Sequence, residues 1–190
     1  MKYFFISLGV LLLIIFGIVI FNNGGSKTAT TSTAKKAIKL TDYASNNAAS
    51  VQYIVEGPIT ALENHRIIQI TVSPLSRSVN VFTGYQGQVL ISQTFHNDST
   101  AYGEFLAALN RAAFTKDRKV ANSINPESIC PTNNRTHYKI VDSSKDAMDL
   151  WSSSCAAGSF GGSVSLTGTL FRAQIPNYNR IVSGVNVVAL

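Results

Sequence analysis

Tyr3 to Phe21 is an unbroken apolar run of nineteen residues without a charge, dense in Leu, Ile, Val and Phe. As a helix rising about 1.5 Å per residue it reaches roughly 28 Å, close to the thickness of a bilayer's hydrocarbon core. A helix packed against a water-soluble core would carry a polar face. Ser7, Gly9 and Gly17 do not make one. The run is read as a transmembrane anchor occupying residues 1–21, with the lipid bilayer as its partner through residues 3–21. It exceeds the roughly 7–15 apolar residues of a cleaved signal peptide. Gly24-Gly25-Ser26 is only a tolerable cleavage pattern, and no Cys follows the run for lipid attachment. A retained anchor is favoured over a cleaved signal.

The net charge of +6 invites a nucleic-acid reading, which its distribution opposes. Of 16 Lys and Arg, five (Lys2, Lys27, Lys35, Lys36 and Lys39) precede residue 40, leaving 11 against all 10 Asp and Glu. A domain at +1 offers counterion release little to work with, so no nucleic-acid partner is expected. Residues 22–39, made largely of Asn, Gly, Ser, Thr, Ala and Lys, read as a flexible linker. Its lysines can rest on anionic headgroups or simply be solvated. Positive-inside counting of the lysines after the apolar run favours a cytoplasmic domain. Two cysteines, a Ser/Thr-rich stalk and a two-residue tail before the anchor favour an exported one. The expectation is a single-pass membrane protein whose domain, residues 40–190, is extracytoplasmic.

Cys130 and Cys155 are the only cysteines. An even number in an oxidising compartment points to a disulfide, stabilising by roughly 3 kcal/mol on the chain-entropy model. The competing zinc site is incomplete, since neither Cys has a Cys-x-x-Cys companion and His137 is the sole nearby imidazole.

Within the domain, alternation predicts strands over Val51–Glu56 (ended by Gly57-Pro58), Arg66–Ser73, Ser78–Thr83 and from Val89 to Phe95, with turns at Pro74–Arg77 and Gly84–Gly87. The period then changes. Asn97-Asp98-Ser99 supplies capping oxygens, and Tyr102, Phe105, Leu106, Leu109, Ala112 and Ala113 form a helical stripe. Thr115–Ser128 reads as an exposed loop. His137–Val141 and Asp149–Cys155 read as two further strands joined through Ser143-Ser144-Lys145. Gly158–Gly162 turns into a second helix with Val164, Thr167, Phe171 and Ile175 on one face, broken by Pro176. Asn177–Ala189 reads as a turn and a short apolar strand or tail. The order predicts an α+β fold, an antiparallel sheet of five to six strands packed against two helices and preceded by the transmembrane helix.

Four segments carry a resemblance: Tyr102-Gly-Glu-Phe-Leu-Ala-Ala-Leu109, Cys130-Pro131, Leu150-Trp-Ser-Ser-Ser-Cys155 and Leu170-Phe-Arg-Ala-Gln-Ile-Pro-Asn-Tyr178. On these the chain resembles single-pass, membrane-anchored exported proteins of small-genome bacteria, a group without an assigned activity, over most of residues 50–185. The resemblance implies one fold and an exported compartment.

Most catalytic chemistry is excluded residue by residue. Ala157-Gly-Ser-Phe-Gly161 is similar to a nucleophile elbow, yet no Asp or Glu follows Asp149 and no His follows His137. A Gly-rich turn explains it. His65 and His96 stand at strand ends, where a solvated imidazole is ordinary. Asp142, Asp146 and Asp149 lack the calcium-loop pattern, and no phosphate-cradling Gly-Lys-Ser/Thr occurs. No metal and no cofactor is expected. Two function classes remain. The first is a binding or structural module with a protein or envelope partner, its candidate surface drawn from Tyr85, Trp151, Phe160 and Tyr178; burial of Trp151 and Phe160 in the core is the competing reading. The second is an envelope enzyme with a site assembled from His137, Asp149 and Ser154. A concave pocket would favour the enzyme, and a convex aromatic patch the binder.

Overall fold

The computed structural model describes residues 38–120, 129, 131–155 and 158–185. The apolar run Tyr3–Phe21, most of the linker and Cys130 lie outside them, and so do Ala157 and the apolar tail from residue 186. By internal contacts the chain divides into residues 1–37 and residues 38–190, and only the second unit is described. No helix among the described residues is long and apolar enough to cross a membrane.

A short 3-10 turn, Leu40–Tyr43, leads into six strands and three helices: β1 (Ala49–Glu56), β2 (Arg66–Val72), β3 (Ser76–Thr83), β4 (Gln88–His96), α1 (Ser99–Arg111), β5 (Arg135–Asp142), β6 (Lys145–Ser153), α2 (Val164–Ala173) and α3 (Tyr178–Ile181). The strands form one wholly antiparallel sheet in the order β4-β3-β2-β1-β5-β6. β1 to β4 run as a meander. The chain then passes through α1 and returns on the far side of β1, so β5 pairs with β1 over Ala49↔Asp142 to Glu56↔Arg135. The fold is α+β, as the alternation and periodicity predict.

Side chains alternate across each strand, so one face collects the apolar set. Val51, Tyr53, Ile68, Ile70, Val72, Val79, Val81, Tyr138, Ile140, Met148 and Leu150 are buried there. α1 starts where Asp98 accepts a hydrogen bond from the Ala101 N–H at 2.9 Å, and it lays Tyr102, Phe105, Leu106 and Leu109 on that face. α2, capped by Ser163, adds Thr167, Gly168 and Phe171. Aromatic rings join the layers: Phe171 stacks on Tyr53 at 5.4 Å and meets Phe105 edge-on at 5.2 Å, and Phe160 stacks on Tyr138 at 3.7 Å.

Several local expectations are corrected. β3 begins at Ser76, not Ser78, because the turn closes tightly between Ser73 and Ser76, whose backbone and hydroxyls bond to each other. β6 begins at Lys145, since Ser143 and Ser144 both take the left-handed backbone of a two-residue hairpin turn. β6 also ends at Ser153, leaving Ser154 and Cys155 beyond the strand. In α2 the buried stripe runs Thr167, Gly168, Phe171, while Val164 sits in the first turn at 47% exposure. Ile175 is buried although it lies past the helix end. Tyr178–Ile181 is a third, short helix instead of a turn.

The aromatic joint predicts a large cost for opening it. Phe171→Ala is expected to destabilise the domain by about 3–5 kcal/mol, against less than about 0.5 kcal/mol for Val164→Ala on the exposed side. Urea unfolding of the two variants checks this, and similar losses for both would contradict the assigned layers.

Candidate functional site

The second face of the sheet carries no helix among the described residues, and its rows follow from the strand registers. One row reads Ser92, Asn80, Gln69, Ile54, His137, Trp151 from β4 to β6. The row on one side reads Thr94, Ser78, Thr71, Gln52, Lys139, Asp149. The row on the other reads Val89, Phe82, Ile67, Glu56, Arg135, Ser153. Over β1 to β4 the first two rows are uncharged, mostly amides and hydroxyls, and Gln69 donates to the Thr71 hydroxyl at 3.1 Å. Charge gathers on β5 and β6.

Arg135, His137 and Lys139 stand at alternate positions of β5 and therefore on one face. Each meets a carboxylate from a neighbouring strand. Lys139 bridges Asp146 at 2.8 Å and Asp149 at 2.9 Å, and His137 Nδ1 lies 3.1 Å from Asp149 Oδ1. Burial alone would push the Asp149 carboxyl up, but the hydrogen bonds and charges of His137 and Lys139 outweigh it and hold it below the usual range. Burial likewise pulls Lys139 down, and its two aspartates more than reverse this.

A second ionic group closes the other end of β1. Arg135 is 1% exposed, and its Nε and Nη2 reach Glu56 Oε2 and Oε1 at 3.1 and 3.0 Å. His65 is also buried, which corrects the expectation of a solvated imidazole. Its Nδ1 lies 3.1 Å from the Pro58 carbonyl, which can only accept, so Nδ1 carries the hydrogen and Nε2 faces Glu56 Oε1 at 3.5 Å. Tyr85 stacks on the imidazole at 4.2 Å, its hydroxyl donating to the Thr60 carbonyl and accepting from the Thr60 N–H. That stack covers one face of the imidazole. Glu56 and Arg135 are 79 residues apart in the chain, so no local pattern could have paired them.

The structure brings His137 and Asp149 together but leaves Ser154 beyond the end of β6, where its N–H donates to the Asn134 carbonyl. The clefts at Thr169–Arg180, at Ile91–Ile181 and at Leu62–Gln88 are lined by none of the three. No group of His, Cys, Asp and Glu able to hold a metal occurs among the described residues. The four aromatic candidates have different surroundings. Tyr85 is 49% exposed at the β3–β4 turn, and Tyr178 is half-buried near Arg172. Trp151 is buried under Gly158, where a Cβ would come within 2.2 Å of the Trp151 carbonyl. Phe160 is core, stacked on Tyr138.

The two ionic groups differ in burial and should differ in energy. Glu56→Gln leaves the Arg135 guanidinium buried without its counter-ion and is expected to cost about 3–5 kcal/mol. Asp149→Asn opens a half-exposed group screened by water and should cost less than about 1 kcal/mol. Because the Asp149 pKa is depressed in the fold, its contribution is present above the unfolded value near 3.9 and is lost as pH falls through the folded one. Because that of Lys139 is raised, its share is present below about 10.4 and is lost as pH rises beyond. Urea unfolding between pH 3 and 11 should show the Asp149→Asn deficit only inside that window; a pH-independent deficit would contradict it.

The chain matches no protein-family model and no curated protein.

Proposed function

We propose that the chain is a binding or structural module held by Tyr3–Phe21 at the outer surface of a bacterial membrane, its domain extracytoplasmic and engaging a protein or other envelope component. The observation that supports this reading best is the one-sided sheet. Helices cover the centre of the sheet on one face, while the other offers ordered rows of amides, hydroxyls and apolar side chains. A surface of this kind suits a broad contact better than the enclosure of a small molecule. Tyr85 keeps accessible surface at the β3–β4 turn, and Tyr178 keeps some on the helix side of the sheet. A Cys130–Cys155 bridge belongs to the same reading, tying the loop before β5 to the chain leaving β6.

A second reading, an envelope enzyme, is favoured by one specific observation, the His137–Asp149 contact at 3.1 Å. It is the weaker reading because neither residue lines a described cleft.

The test is a photo-reactive residue placed at Gln69, in the middle of the open face, in intact cells, with Arg111 on the exposed side of α1 as control. The expected result is a cross-linked species from Gln69 only, recovered with the membranes after an alkaline wash. A chain released by that wash, or one that yields no adduct from Gln69, would overturn the reading.

A further inference from the structure

The two edges of the sheet are treated differently by the fold. At β6 the Trp151 N–H donates to the Ser159 hydroxyl at 3.0 Å, and the Phe160 N–H donates to the Trp151 carbonyl at 2.9 Å, so residues 159–160 already occupy that edge. Among the described residues β4 has a single neighbour, β3. It is exposed at every position except the half-buried Ile91 and Phe95, with Val89 and Leu90 at 58% and 52%. Proteins usually protect such an edge with charge, proline or a bulge. From Gln88 to His96 there is no Lys, Arg, Asp, Glu or Pro. The one bulge lies opposite Val81/Phe82, near the turn, and leaves Ile91–His96 in regular register with Ser76–Val81.

Beside that regular stretch runs a groove of about 440 Å³, lined by Ile91, Gln93 and Phe95 from β4 and by Pro176, Asn177, Arg180 and Ile181. Positions 91, 93 and 95 are alternate residues, so the groove follows the helix-side face of the open edge. A strand added to β4 would pair its backbone with the edge and place every second side chain in this groove. Ile91, Phe95, Pro176 and Ile181 make its walls apolar. Among the described residues its only formal charge is Arg180, which has no described carboxylate partner. The adjoining cleft shares Asn177 and Arg180 and adds Arg172. No Asp or Glu occurs between Ser76 and His96 or anywhere after Asp149.

We propose that the β4 edge and this groove are a strand-docking site for an extended peptide segment that has apolar side chains at alternate positions and a carboxylate to meet Arg180. The inference rests on the binding-module reading and names its site and its partner's chemistry. A second copy of the chain fits less well, because β4 pairing with β4 brings no carboxylate to either Arg180.

The test uses the full chain in detergent micelles and labelled octapeptides of alternating valine and threonine, one ending in two glutamates, one ending in two lysines and one with serine in place of valine. Fluorescence anisotropy should show the glutamate peptide binding about tenfold or more tightly than either counterpart. Amide exchange should slow within Ile91–His96 when it binds. Arg180→Glu, a change at an exposed position, should leave the melting temperature near that of the parent and reverse the preference toward the lysine peptide. Absence of binding, an unchanged preference in Arg180→Glu, or protection elsewhere in the sheet would overturn the proposal. So would protection of β4 without peptide, through self-association or through residues 186–190. Adducts from Gln69 in cells, with none from a photo-reactive residue at Gln93, would sink this site while leaving the binding module standing.

Discussion

Pairing of β1 with β5 is the contact on which the rest of the structure depends. It joins segments that the whole meander and α1 separate in the chain, at the cost of closing a long loop. Without it the meander of β1 to β4 would expose an edge at β1, and β5-β6 would be a lone hairpin, marginal in water. With it, Tyr53 meets Tyr138 at 5.8 Å, and the aromatic floor that receives Phe171, Phe114 and Phe160 is complete. The same pairing carries Glu56 to Arg135, so one register fixes both the core and the buried ion pair. A slip of one residue would reverse the two faces of β5 and break both.

The layers explain where chemistry can and cannot reside. Away from β4 the helix-side face is consumed by packing, and the two tyrosines at its centre hydrogen-bond or stack within the core. Cations on β5 are matched by carboxylates on β1 and β6, which leaves the β5–β6 end of the sheet electrostatically settled. What is not settled lies at the opposite end. There, uncharged β4 borders a groove whose only charged lining residue is cationic. The proposed functions, broad contact on the open face and strand addition at the edge, use the surfaces that folding leaves unfilled.

Much of this was legible in the sequence, for a physical reason. Alternation in Ile68–Val72 and the three- and four-residue spacing from Tyr102 to Leu109 report local geometry that burial on one side enforces. Gly84, with φ of +67°, marks a real turn, and Gly57-Pro58 marks the end of β1. The strand order was not legible, because antiparallel neighbours distant in sequence leave no local trace. The bulge that separates Val89 from Ile91 in register has no residue signature either. His65 reads as an ordinary strand-end histidine until Tyr85 is folded against it, and nothing in the sequence marks Arg135 as the buried partner of Glu56. Of the candidate site, the chain showed the residue types but not their meetings. His137 and Asp149 come together through a hairpin register, and Trp151 is taken out of reach by Gly158.

The most direct test of the account is residue-resolved amide hydrogen exchange of residues 38–190. Amides of β1, β2 and β5 should exchange slowest, at rates set by global unfolding, and β4 should contain the fastest amides of the sheet. Exchange in β1 and β5 as fast as in β4 would contradict the central pairing, and with it the layers, the buried ion pair and the open edge that follow from it.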